Sequence, residues 1–246
     1  MRTARRVGPT AAYVLHQSPY RDSGRIVEVL TREYGRLSLF AYGVRRPKSG
    51  LAAALQPFQR LLVSWSGRGE AATLTGAEID AVPRVLPPRH FMSACYVNEL
   101  LLKLTTRHDA HPELFDLYEA ALDELGVADQ AMRALRVFEK RLLDALGFGL
   151  GLSATAQDQQ PIKERGRYHF RPQAGAFEAA AEAAGRVYSG AALLALADES
   201  IVDAAQLDEV RPLLRAALDE CLEGRALRTR DVAAAVRSRR RAGVQP

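Results

Sequence analysis

RLSLFAY, from Arg36 to Tyr42, puts Leu37, Leu39 and Ala41 on one parity and Ser38, Phe40 and Tyr42 on the other. Successive side chains of a strand point to opposite faces, so this alternation marks a half-buried strand. Upstream, the turn Arg32-Glu33-Tyr34-Gly35 joins it to RIVEVLT (Arg25 to Thr31), a short β-branched run. Further out, Ala12 to His16 is an apolar segment ended by Ser18 and Pro19. Gln59 to Trp65 is closed by Ser66-Gly67-Arg68-Gly69, and Ala71 to Ala81 is stopped by Pro83. Five short strands with Gly-bearing turns point to a small closed barrel, because closure removes the exposed edges of an open sheet. A five-stranded barrel of the oligonucleotide/oligosaccharide-binding (OB) type is the leading choice, with an SH3-like barrel as the alternative. Strand count alone does not separate them.

After Pro87-Pro88 the period becomes helical. Arg89 to Thr106 carries Phe91, Cys95, Val97, Leu100, Leu101 and Leu104. Pro112 to Leu125 starts with Pro in a first-turn position and is ended by Gly126. Asp129 is the expected N-cap of Gln130 to Leu146, which Gly147 stops. Residues 147–187 read as irregular, with a short hairpin of Tyr168-His169-Phe170 and Ala176-Phe177 around Pro172 and Gly175. Ala191 to Ala197 and Leu207 to Leu222 are further helices, and Thr229 is the expected cap of a last one through Arg237. The reading is an α+β chain: a barrel over residues 1–82, then a mostly helical domain over 83–246 with an irregular insert near 150–187 and a basic tail.

The formal net charge of +5 conceals a pattern. Residues 1–80 hold 12 Lys/Arg against 6 Asp/Glu, residues 81–220 hold 15 against 21, and residues 221–246 hold 7 against 2. A basic head and tail around an acidic middle suit a polyanion met by the ends; a solvated arginine-rich surface gives the same pattern. The two cysteines, Cys95 and Cys221, lie far apart and form no CxxC, so they read as small buried hydrophobes in a reducing compartment. Arg2, Arg5 and Arg6 are followed by Gly8, Pro9 and His16, not by a continuous apolar run. No secretory signal or transmembrane helix is therefore expected, and the chain is expected to be cytoplasmic.

Signatures of catalysis are missing. There is no GxxxxGK[ST] phosphate loop and no GxSxG elbow. Gly147-Phe148-Gly149-Leu150-Gly151 follows a helix, whereas a dinucleotide loop follows a strand. His108 and His111, near Asp109 and Glu113, are the best metal candidates, but they straddle a loop and a helix start. No metal, cofactor or catalytic residue is expected. Binding chemistry is more evident. Arg45, Arg46 and Lys48 crowd a Gly- and Pro-bearing loop directly after the third strand, with Arg36 on the same hairpin and Arg68 in the next Gly turn. Such cations can follow a phosphate chain, and the interleaved Phe40, Tyr42 and Trp65 can either stack on bases or fill the barrel. The arginines Arg225, Arg228, Arg230, Arg237, Arg239, Arg240 and Arg241 make the tail either a second DNA contact or a solubilising end.

Four stretches, in order and spacing, resemble the RecO family of bacterial recombinational repair proteins. They are VLHQSPYRDSGRIVEVLTREYGRLSLFAYGVRR (Val14 to Arg46), LQPFQRLLVSWSGRGE (Leu55 to Glu70), YVNELLLKL (Tyr96 to Leu104) and LRVFEKRLLDALGFG (Leu135 to Gly149); LRTRD (Leu227 to Asp231) agrees near the end. The resemblance implies an OB barrel followed by a helical domain. It implies binding of single- and double-stranded DNA, annealing of complementary strands, and work with RecR to load RecA onto DNA coated by single-stranded DNA-binding protein. It also implies docking of that protein's acidic, Phe-ended C-terminal tail on the helical domain. Arg136 matches a family arginine implicated in this docking, with Lys140 and Arg141 near it on the same helix. Many members carry a four-cysteine zinc module after the LGF motif; Leu150 to Arg171 contains no cysteine, so this chain resembles the zinc-less members. The alternative function is a protein-binding adaptor with weak DNA contact. A metal-dependent nuclease is weaker still, for want of a carboxylate cluster.

Overall fold

β1 (Arg6–Tyr20) is the strand on which the barrel closes. In the computed structural model, which describes residues 6–44, 50–67, 72–180 and 185–242, its first half pairs with β4 (Arg60–Ser66), from Arg6↔Ser66 to Tyr13↔Arg60. Its second half pairs with β2 (Gly24–Thr31), from Ala12↔Thr31 to Tyr20↔Gly24. Register shifts at Val7/Thr10 and Val14/His16 let the strand bend from one neighbour to the other. β1 is longer than the sequence suggests, because Gly8 and Pro9 sit in the first of these irregularities, where no ladder hydrogen bond is required.

β2 and β3 (Gly35–Ala41) form the expected hairpin, and β4 pairs antiparallel with β5 (Thr73–Ile79). A parallel pairing, Phe40↔Thr73, joins β3 to β5 and closes the order β1-β2-β3-β5-β4. That closure is the five-stranded OB barrel. The short helix α1 (Gly50–Ala54), which the sequence reading missed, lies between β3 and β4. It leads into the fully buried Leu55. Val14, Val27, Val29, Leu37, Leu39, Leu61 and Val63 fill the interior with Trp65, which is 5% exposed and meets Tyr34 edge-on. Trp65 is thus core.

Chain contacts define two units. The first, Met1–Gly126 with Leu227–Pro246, joins the barrel to α2 (Phe91–Leu104), α3 (Pro112–Gly126) and α7 (Arg228–Ala242). This division differs from a boundary after residue 82, because α2 and α3 cover part of the barrel's outer wall. Tyr13, pointing outward from β1, lies 5.3 Å from the Phe115 ring and 5.0 Å from that of Tyr118. Asn98 Nδ2 donates to the Leu15 carbonyl (2.9 Å) and its Oδ1 accepts from the Tyr118 hydroxyl (2.7 Å). At the start of β3, Gly35 has φ +66°, and a Cβ there would lie 1.9 Å from the Asp109 carbonyl oxygen. Only glycine fits.

The second unit, Val127–Ala226, holds α4 (Ala131–Ala145), α5 (Gly190–Ala197) and α6 (Ala204–Leu222) with the small sheet β7-β6-β8. β6 (Arg167–Arg171) and β7 (Gly175–Glu178) are the expected hairpin, and β8 (Tyr188–Ser189) extends it. The insert is therefore more ordered than its composition suggests; Leu150, Leu152, Ile162 and Tyr168 are buried. Two capping expectations are corrected. Asp129 adopts φ +66°, outside N-cap geometry, and Gln130 precedes α4 without a side-chain cap. At α7 the cap comes from another helix: Glu99 of α2 accepts from Arg228 N (2.8 Å), Thr229 N (2.9 Å) and Thr229 Oγ1 (2.7 Å).

Candidate nucleic-acid interface

The outer wall of the barrel has two ends. Outward-facing positions follow from the register: Ser18, Ile26 and Phe40 stand opposite one another, as do Glu28 and Ser38, then Leu30 and Arg36. At the end nearer Arg36 the cations are engaged with carboxylates. Arg36 Nη1 donates to Glu28 (3.0 Å) and its Nη2 to the Thr105 carbonyl (2.8 Å), while Arg107 reaches the same Glu28 at 2.6 Å. Arg32 bonds Asp116 (2.8 Å), and Arg60 bridges Asp80 (2.9 Å) and Glu119 (2.7 Å). The Tyr13 hydroxyl donates to Glu119 at 2.6 Å; burial, reinforced by that bond, pushes the phenol up to about 12.

The opposite end carries aromatics. Tyr20 closes β1, Phe40 sits near the end of β3, and Tyr42 follows it on the same outward parity. Their centroids are 4.8 Å apart for Tyr20–Phe40 and 6.4 Å for Phe40–Tyr42, whose planes differ by 17°. Tyr42 is 50% exposed. The Arg21 guanidinium lies 5.1 Å from the Tyr20 centroid, and Arg21 has no carboxylate partner among the described residues. Arg25, also at this end, donates to Gln17 Oε1 (2.7 Å) instead of to a carboxylate. The Phe40 and Tyr42 rings lie nearly parallel, and the Tyr20 ring is inclined by 59° to Phe40 and 66° to Tyr42. Exposed rings edged by cations can stack on unpaired bases, with phosphates alongside.

Three connections leave the barrel at this end. The β1–β2 turn runs through Arg21; Ala41 pairs with Arg25 just before the chain continues to Val44; and Ser66 pairs with Thr73 where β4 gives way to β5. Arg45, Arg46, Lys48 and Arg68 belong to the latter two connections and lie outside the described residues. Arg36, expected as a phosphate contact, is placed at the other end of the wall in the Glu28–Thr105 network, with its side chain 12% exposed. Tyr20 and Arg21 escaped the sequence reading because Ser18-Pro19 looks like the end of a strand; the register of β1 against β2 brings them beside Phe40.

The N- and C-terminal models of recombination protein O match residues 7–82 and 88–231. The chain belongs to the RecO family. Curated relatives agree: the chain is 39% identical to DNA repair protein RecO of Methylococcus capsulatus, over 90% of each chain. It is 38% identical to that of Aromatoleum aromaticum (94% of this chain, 97% of the relative) and 41% to that of Nitrosococcus oceani (89% of each).

The residues that the RecO resemblance assigns to peptide docking lie on α4. Arg136 is 8% exposed and its guanidinium meets Glu139 at 2.9 Å. Lys140 Nζ bonds Glu199 at 3.0 Å, and Arg141 also bonds Glu199. The Glu199 carboxyl is held below its usual range, chiefly by the Arg141 hydrogen bond and then by Lys140. Lys140 and Arg141 therefore converge on one carboxylate. His111 lies between Glu113 (2.9 Å) and Asp109 (3.1 Å), while the backbone N of His108 bonds the Arg36 carbonyl. Among the described residues, no three potential ligands form a metal-holding group, and no helix is long and apolar enough to cross a membrane.

Proposed function

We propose that this RecO-family chain is a DNA-binding mediator of recombinational repair, which seats single-stranded DNA on the Tyr20–Phe40–Tyr42 tier and anneals complementary strands. The observation that carries this reading is the aromatic tier of Tyr20, Phe40 and half-exposed Tyr42, the last two with nearly parallel rings, at the barrel end from which the basic connections leave. Stacking tolerates any base, as an annealing protein requires, and is worth about 1–3 kcal/mol per base. Arg21, with Arg45, Arg46, Lys48 and Arg68, supplies positive charge for phosphates. Partial neutralisation lowers the repulsion that opposes pairing of two strands. Duplex DNA is taken through the same cations, without stacking.

Family resemblance extends the proposal to partners. The acidic C-terminal tail of single-stranded DNA-binding protein would dock on α4, its carboxylates displacing Glu199 from Lys140 and Arg141, with Arg136 beneath. RecR would assist, and RecA would be loaded on the cleared strand. The test is annealing of complementary oligonucleotides, bare and coated with the cognate single-stranded DNA-binding protein. Wild type should accelerate both. Arg141→Ala, with an unchanged melting temperature, should fail only on coated strands, and so should Arg136→Ala, with a lowered melting temperature because Glu139 is left buried without its partner. No acceleration of bare strands by wild type would overturn annealing. Equal loss on bare and coated strands would remove α4 from the docking role.

A further inference from the structure

α7 carries six arginines and one carboxylate, Asp231, in 15 residues. Its net charge of +5 equals that of the entire chain. The helix is anchored at its beginning. Leu227 is buried, Glu99 closes the first turn with three hydrogen bonds, and the Arg230 guanidinium lies 5.8 Å from the Tyr96 centroid. Beyond Ala233 every described side chain is exposed, Val236 among them. From there the helix continues for about 15 Å, at roughly 1.5 Å per residue.

The distribution of charge selects the partner. At about 100° per residue, positions 237, 240 and 241 share one face of the helix and position 239 lies nearly opposite, so the cations are not confined to one side. Membrane-surface helices and helix-docking partners need a broad apolar face opposite the cations. Here Val232 and Val236 are the only large apolar residues of the helix. Positions 237 and 240, and 237 and 241, are like-charged neighbours one turn apart, which disfavours the isolated helix. A dense line of negative charge relieves that repulsion from several sides at once. The cap fits this role, since Glu99 already satisfies the amides of Arg228 and Thr229, and four of the six arginines follow in the second half of the helix.

We propose that α7 is a second nucleic-acid contact, gripping a phosphate backbone by charge alone and independently of the aromatic tier. It rests on the reading of the chain as DNA-binding, and gives one molecule two places for strands.

The experiment measures binding of a labelled oligo-dT strand and a labelled duplex by anisotropy across a salt series. Wild type is compared with Arg237→Gln/Arg239→Gln/Arg240→Gln/Arg241→Gln, with the corresponding Arg→Lys set, and with Tyr42→Ala. The Gln set should bind duplex about tenfold or more weakly at moderate salt. Its log–log salt slope should fall by about 2–4, at ~0.9 for each phosphate that is no longer neutralised. The Lys set should keep wild-type slope, and Tyr42→Ala should leave the duplex slope unchanged. Wild-type slope in the Gln set, with DNA binding intact, overturns the α7 contact and leaves the barrel reading standing. Absence of DNA binding by wild type overturns both. If the Gln set instead loses only binding of a labelled oligoglutamate peptide, the ligand of α7 is an acidic protein segment and the proposal fails.

Discussion

Single residues do most to separate recognition from support in this molecule. Tyr42 is half exposed and stacks on Phe40 without filling the core. Tyr42→Ala should therefore leave thermal stability nearly unchanged while weakening oligo-dT binding about 5- to 150-fold, the equivalent of one stacked base at ~1–3 kcal/mol. Tyr42→Phe should restore most of it. An equal loss in Tyr42→Phe would assign the effect to the hydroxyl and not to stacking. Gly35 is the converse, a residue of stability alone. Its positive φ and its approach to Asp109 predict that Gly35→Ala costs more than about 1 kcal/mol in chemical denaturation, because backbone must move to admit the methyl group. A wild-type denaturation midpoint would contradict that packing.

Among the elements, the α2–α7 junction makes a pH-dependent prediction. Burial alone would raise the Glu99 carboxyl, but hydrogen bonds from Thr229 and Arg228 outweigh it and hold the group below its usual range. A lowered folded pKa means that its stabilisation is complete above the unfolded value, near 4.3, and is lost as pH falls through the folded value. Amides of residues 230–242 should thus exchange faster in Glu99→Gln than in wild type at neutral pH, by a factor matching about 1 kcal/mol. The difference should vanish at low pH, where both side chains are neutral. A difference that persists in acid would mean that Glu99 acts by packing. Sequence-level reasoning expected Thr229 to cap its own helix. It could not find Glu99, which lies well over 100 residues away and meets α7 only through tertiary packing. The hairpin of β2 and β3 and the helices α2 to α4 were legible because their periodicity is local. The ends of β1 were not, because Gly8, Pro9, Ser18 and Pro19 look like strand breakers until the two register shifts accommodate them. For the same reason Phe40 and Tyr42 were visible as candidates and Tyr20 and Arg21 were not. Arg36 shows the opposite limit. Composition sees a cation on a basic hairpin, whereas Glu28 on the paired strand and Thr105 at the end of α2 decide that it faces a buried carboxylate.

Across the whole molecule, positive charge is sorted by what opposes it. In the barrel unit, the cations at the helix-covered end are matched by Glu28, Asp80, Asp116 and Glu119, while the aromatic end presents Arg21 and the α7 helix carries +5. In the second unit Lys140 and Arg141 share Glu199. Glu199→Gln should accordingly strengthen docking of an acidic, Phe-ended peptide several-fold by freeing both cations, as read by anisotropy of a labelled peptide. Weaker docking would mean that Glu199 holds the site in shape and does not compete for it.

The central claim is that the aromatic tier of the barrel holds single-stranded DNA by stacking. It is tested most directly by oligo-dT affinity over a salt series for wild type and Tyr20→Ala/Tyr42→Ala. Salt screens phosphate contacts but not stacking, so the account predicts two parallel lines of log K against log salt, the variant displaced to weaker binding at every concentration. Coincident lines would contradict it, and would leave the strand held by charge alone.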